Sequence, residues 1–147
     1  MKKIIFILVA LSLILPIFAQ NAQRITGVWF NGEKTSKIEI TQTEDGLFVG
    51  HIVWLKEPTT KDGKAKTDTK NSVDKLKQRP LLGLQILSDL KYDGKDKYSG
   101  GKIYDPQAGK TYSSKAEMVN NNTLSLRGYI GIPMAGRTDT WTRTKIE

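Results

Sequence analysis

Gly100-Gly101-Lys102-Ile103-Tyr104-Asp105-Pro106-Gln107-Ala108-Gly109-Lys110-Thr111-Tyr112 reads as two strands folded about one tight turn. Proline presets the first turn position and glycine accepts positive φ at the last, so a four-residue turn over 106–109 is expected. That turn pairs Asp105 with Lys110 and, counting back, Tyr104 with Thr111, Ile103 with Tyr112 and Lys102 with Ser113. Side chains alternate across a strand. Ile103, Tyr112, Ala116 and Met118 therefore share a core face, with Asp105 and Lys110 inward at its end, while Lys102, Tyr104 and Lys115 point out.

The same period of two runs outward from this hairpin. Ile38 and Ile40 alternate with Lys37, Glu39 and Thr41, and Leu124, Leu126 and Ile130 alternate with Ser125, Arg127 and Tyr129. Turn signals punctuate these runs at Asn31-Gly32, Asp45-Gly46, Asp93-Gly94, the asparagines of 120–122, and residues 131–136 with Pro133. Eight strands are expected, at about 25–30, 36–42, 47–55, 84–92, 97–104, 111–119, 123–130 and 137–144. Short hairpin connections favour an antiparallel up-and-down meander, and closing it into an eight-stranded barrel removes the exposed edges. A two-sheet β-sandwich is the alternative.

A meander also decides which loops meet. The connections at 31–35, 56–83, 105–110 and 131–136 fall at one end. The 56–83 connection far exceeds an ordinary hairpin loop and reads as a lid, plug or binding loop, with Leu76, Leu81 and Leu82 to bury. Its helical candidate is 72–78, with Ser72 as N-cap and Pro80 as the stop. Residues 56–79 carry eight basic side chains against four acidic ones, so most of the excess charge lies there. The segment reads as a solvated loop or as an anion-attracting rim.

The first nineteen residues read as a signal peptide. Lys2 and Lys3 precede an apolar run over 4–18, and Pro16 breaks it three residues before Ala19, the expected cleavage residue. The run is short for a membrane span. Removal takes two of the 23 basic residues and lowers the net charge from +8 to +6, leaving 20–147 as one domain. The chain has no cysteine, which excludes lipid attachment, thiol catalysis, thiolate metal sites and disulfides.

No catalytic constellation accompanies this framework. His51 is the single histidine and sits in an apolar strand without a serine or carboxylate motif beside it. Acid pairs such as Glu44-Asp45 lie in turns, and no zinc, phosphate-loop or calcium spacing occurs. No metal and no cofactor are expected. Export and the lack of an aromatic-basic motif argue against nucleic acid.

Two further patterns carry resemblances. Gly27-Val28-Trp29 opens the first strand and Trp141-Thr142-Arg143 closes the last, which resembles the lipocalin (calycin) pattern of an early Gly-x-Trp with a late basic residue across its indole. Together with Gly109, the residues Gly27, Trp29, Trp141 and Arg143 are expected to be structural. Residues 101–106, 109–112, 79–83, 127–129 and 136–138 resemble the bacterial family known as domain of unknown function 2147. The likeness spans the chain from Gly27 onward. It places Asp68, Asn71, Gly101, Lys102, Tyr104, Pro106, Tyr112 and Arg127 in family motifs, with His51 where the pattern would put lysine, and it implies an exported bacterial protein without a settled activity.

The resulting expectation is a non-catalytic periplasmic barrel holding a small apolar or amphiphilic ligand with an anionic end. Trp54, Arg79, Asp105, Lys110 and Arg137 are the expected ligand-binding residues, Trp54 by stacking and the arginines by forking onto a carboxylate or phosphate. Two alternatives stand beside it: an envelope interaction protein that meets anionic lipid or another protein through 56–79, and an enzyme using Asp105, Lys110 and a tyrosine.

Overall fold

The computed structural model describes residues 16–147. The expected signal peptide therefore lies outside the described residues as far as residue 15. A short helix α1 (Pro16–Ala22) and a 3-10 turn (Gln23–Ile25) lead into eight strands: β1 (Gly27–Phe30), β2 (Ser36–Gln42), β3 (Phe48–Leu55), β4 (Gln85–Gly94), β5 (Lys97–Asp105), β6 (Lys110–Asn120), β7 (Thr123–Tyr129) and β8 (Arg137–Thr144). They form a closed antiparallel barrel in sequence order. Pairing of β1 with β8, through Trp29 opposite Arg143, closes the ring and excludes the sandwich. The register of the β5–β6 hairpin is the expected one, from Asp105↔Lys110 back to Lys102↔Ser113.

Two local expectations are corrected. The 72–78 helix reduces to one 3-10 turn (Asp74–Leu76), because the preceding backbone is extended at Val73 and Ser72 supplies no cap. Asn71 Oδ1 instead accepts the Val73 amide at 2.8 Å, an Asx-type bond that competes with helix initiation. The β4–β5 turn lies at Lys95 and Asp96, not at Asp93-Gly94. Both carry positive φ, 52° and 61°, as a two-residue type I′ hairpin requires. An ion pair between Asp96 and Arg24 holds this turn against the chain entering the barrel.

The core is filled from one end. Trp29, Phe48, Tyr98, Leu87, Leu90, Leu124 and Leu126 are essentially sealed from solvent, and Ile25 plugs that end from the entering chain. Burial of each such side chain contributes roughly 1.5–3 kcal/mol. Polar tips are satisfied locally: Trp29 Nε1 donates to the Ile25 carbonyl at 2.9 Å and Tyr98 Oη to the Ala22 carbonyl at 2.7 Å. Arg143 covers the seam, with its guanidinium 4.2 Å from the Trp29 ring centroid. It also donates to the carbonyls of Thr26, Arg24 and Asn121. Gly27 has φ +118°, and a Cβ there would meet the Arg143 guanidinium at 2.7 Å.

One buried group is left over. Ser114 Oγ, opposite Gly101 in the barrel wall, is fully buried without a hydrogen-bond partner among the described residues. A Gly101 Cβ would lie 2.8 Å from it, so the glycine leaves room for Ser114 and for Leu90. An unsatisfied buried hydroxyl costs about 1–3 kcal/mol. Ser114→Ala is therefore expected to stabilise the fold by about 1 kcal/mol, read as a higher midpoint in urea denaturation with an unchanged slope.

Candidate functional site

The end opposite the Ile25 plug is open. A cavity of about 950 Å³ enters the barrel there, and all four loops expected at one mouth contribute to it. Its walls within the barrel are Ile38, Ile52, Leu55, Ile86, Ile103, Tyr112 and Trp141, with Leu81 of the long connection added at the rim. Polar groups stand at the entrance: Asp105, Arg137 and Asp139 on strands, Glu33, Lys56, Glu57 and Lys66 on loops. Asp139 Oδ2 accepts from Trp141 Nε1 at 2.7 Å and from the Gly32 amide at 3.2 Å. Lys66 pairs with Glu57 at 3.3 Å.

The long connection lies partly against the outside of the barrel, held by one buried carboxylate. Asp68 is fully buried and accepts hydrogen bonds from three side chains, one of them the Arg79 guanidinium with which it also forms an ion pair. Tyr104 Oη donates to Oδ1 at 2.6 Å, while Asn71 Nδ2, Arg79 Nε and Arg79 Nη2 reach Oδ2 at 2.8, 2.9 and 2.8 Å. The Arg79 guanidinium also lies 5.4 Å from the Tyr104 ring centroid. Isolated bridges Thr59↔Ala65 and Thr67↔Pro80 brace the connection from within. Burial alone would raise the Asp68 carboxyl, but the bonds from Tyr104, Asn71 and Arg79, with the guanidinium charge, outweigh it and hold the group below its ordinary value of 3.8. Burial, reinforced by the bond to the carboxylate, pushes the Tyr104 hydroxyl up, so it remains a donor.

Turn and connection meet at Gly109. Its φ is +67°, and a Cβ there would collide with the Lys70 carbonyl. Only glycine allows both the turn and this close approach. Between the two segments lies a second concavity of about 570 Å³, outside the barrel, lined among others by Val73, Leu76, Arg79, Tyr104, Lys110 and Thr111. Tyr104 and Ile130 border both this cleft and the barrel cavity.

Residues 27–143 match a family described as "Uncharacterized protein conserved in bacteria (DUF2147)". The chain belongs to this family. Among solved structures it is similar to protein HP1028 from the human pathogen Helicobacter pylori, described as belonging to the lipocalin family, with 30% identity, a TM-score of 0.71 and 82% of each chain covered. No curated protein matches the sequence.

In this DUF2147 barrel the five expected ligand-binding residues do not form one site. Asp105 and Arg137 border the cavity. Arg79 and Lys110 line the outer cleft. The inward placement expected for Lys110 is thus corrected. Lys110 begins β6 directly after the turn and stands with Thr111 on the side facing the long connection, whereas Tyr112 lines the cavity. Trp54 borders neither space. Paired with Lys37 on the outer face, it makes an edge contact with Phe30 at 5.8 Å, and Lys37 Nζ lies 5.1 and 5.2 Å from the two rings. Lys37 is buried there and donates to the Lys145 and Ile146 carbonyls.

The remaining motif residues divide between framework and surface. Arg127 donates to the Pro133 and Met134 carbonyls and to Thr138 Oγ1, tying down the 131–136 loop. Gly101 packs inward, Lys102 is exposed, and Pro106 borders the mouth. Sequence reading missed Asp139, although its position two residues before inward-facing Trp141 puts it on the cavity face. It also missed the Lys37 cage, which register counting across Phe30, Lys37 and Trp54 would have revealed.

The depressed Asp68 carboxyl gives a signed pH dependence. Its contribution is complete above the unfolded value, near 3.8, and is lost as pH falls through the lower folded value. Asp68→Asn is expected to cost about 3 kcal/mol at neutral pH, because Arg79 loses its anion and Tyr104 its charged acceptor. The gap between variant and wild type in urea denaturation should narrow below pH 3.8. A gap unchanged down to pH 2 would contradict the assignment.

Proposed function

We propose that this protein is an exported carrier or sensor whose barrel takes one small, mostly apolar molecule through its open end. The carrying observation is the cavity of about 950 Å³, apolar within and polar at its entrance. That volume suits a ligand with a hydrocarbon or ring body, and such pockets commonly combine apolar walls with a few orienting polar groups. The likeness to a protein described as a lipocalin supports the same reading. The ligand's polar end meets Arg137, which is exposed at the rim and can fork onto a carboxylate or phosphate. Asp105 and Asp139 supply acceptors for a hydroxyl. Export rests on the basic-apolar leader and on Ala19, which precedes the barrel plug and leaves Ala22 and Ile25 in the mature chain.

A second reading has its own observation. Lys61, Lys64, Lys70 and Lys75 of the long connection are exposed and have no ion-pair partner among the described residues, whereas Lys77 pairs with Asp74. They suit an anionic envelope surface. Salt-sensitive pelleting with phosphatidylglycerol vesicles, lost when these four lysines become glutamine, would favour it.

The cavity reading is tested with a fluorescent fatty-acid analogue. Saturable binding is expected, and Ile103→Trp, which fills the cavity, should weaken binding in the cavity at least tenfold, or about 1.4 kcal/mol. Arg137→Gln should weaken a carboxylate ligand severalfold and leave the alcohol of the same chain length unchanged. Indifference of the carboxylate ligand to both substitutions would sink the proposal.

A further inference from the structure

We propose that the outer cleft is a second binding site, separate from the barrel cavity, for an anionic group joined to a short apolar body. Such a group is a carboxylate or a phosphate ester.

The cleft has a built cationic end. Arg79 spends Nε and Nη2 on a single oxygen of Asp68. Nη1 makes no hydrogen bond among the described residues, and the side chain is 35% exposed. Its plane is held by the buried carboxylate and by the Tyr104 ring, so the free edge is offered to the cleft without the entropy loss of ordering a long side chain. Lys110 lines the same space and has no ion-pair partner among the described residues. No carboxylate among the described residues belongs to the lining. Asp68, buried behind Arg79, cancels one positive charge, so Lys110 leaves the cleft with a net charge of about +1. The Ser72 and Thr111 hydroxyls and the Gln85 amide are neutral donors in the same lining.

The opposite lining is apolar. Val73, Leu76 and Ile130 border the cleft, and Val73 and Ile130 remain 43% and 69% exposed. Exposed apolar side chains beside an unneutralised lysine and a positioned guanidinium match an anion that carries a few carbons. The barrel entrance differs in sign: Glu33, Glu57, Asp105 and Asp139 outnumber Lys56, Lys66 and Arg137. Anionic ligands are therefore drawn to the outer cleft more strongly than to the mouth. The walls are fixed relative to each other because the Lys70 backbone sits on Gly109 and the Asp68 bonds join connection to strand.

The test is a titration of the protein with hexyl phosphate and, in parallel, inorganic phosphate, followed by amide NMR. The proposal expects saturable shifts at Ser72, Lys110 and Thr111, with hexyl phosphate the tighter. Lys110→Gln should weaken hexyl phosphate by at least about tenfold, the lower end of the range for a charged hydrogen bond. Lys115→Gln, an exposed change on the same strand outside the cleft, should leave it unchanged, as should cavity-filling Ile103→Trp. Phosphatidylglycerol vesicles form the second arm. Binding that requires Lys110 makes the anion a lipid headgroup, and hexyl phosphate binding without vesicle binding makes it a soluble ester. Shifts confined to Arg137 and Asp139, equal losses in Lys110→Gln and Lys115→Gln, or no saturable shift would each overturn the proposal.

Discussion

Everything in this molecule depends on closing an eight-stranded ring, and Arg143 over Trp29 is where that closure is secured. A meander of eight strands leaves two edges, and here they are β1, of four residues, and β8. Only three residue pairs join them. Three pairs are a weak ladder, so side chains must supply the remainder. The Arg143 guanidinium adds a cation–π contact and hydrogen bonds to carbonyls on the entering chain and on the β6–β7 turn. One side chain thereby links three segments far apart in sequence. The Trp29 indole beneath it is sealed from water, which strengthens the electrostatic part of the contact.

Closure at that end leaves the other end free to vary. Large side chains fill the barrel as far as Leu87 and Leu90, and beyond them the cavity is bordered by Ile103, Tyr112, Trp141 and glycine at 128. Eight strands give an interior that side chains can just fill or that holds one small ligand, and the open end of this barrel has the room the second case needs. The long connection could have capped this opening, but Asp68 pulls its middle onto the outer wall at Tyr104. Leu81 alone of its three leucines borders the cavity. A buried carboxylate is a costly anchor, tolerated because the Tyr104 hydroxyl, the Asn71 amide and the Arg79 guanidinium meet it at short range.

The barrel was legible because period-two alternation, turn residues and the Pro106-to-Gly109 turn are all local signals. The same counting correctly placed Tyr104 outward, Tyr112 inward and four loops at one mouth. It failed where the polar end of a side chain has a partner that alternation does not name. Arg79 was expected at the mouth, but Asp68, eleven residues earlier, claims it. Trp54 was expected to stack on a ligand, but a lysine on the neighbouring strand already occupies its face. Ser72 before a run of helix formers resembles a cap, yet the Asn71 side chain takes the Val73 amide first. Alternation gives the face of the sheet a residue occupies. It does not say what the far end of a long side chain will find there.

This division of labour explains why one constellation expected for a single ligand separates into two. At the mouth the β5–β6 hairpin presents Asp105 to the cavity, while Lys110, its register partner, borders the cleft. A single amphiphile engaging Arg79, Lys110 and Arg137 together would have to cross the rim between Tyr104 and Ile130. Tyr104 is held in place by Asp68 and Asn71, so that route cannot widen without breaking the bonds that dock the connection. The two concavities are consequently chemically distinct, an apolar chamber with a mixed-charge entrance and a smaller basic cleft. They share a wall at Tyr104 and Ile130, and moving its Tyr104 side would shift the hydroxyl against its buried carboxylate.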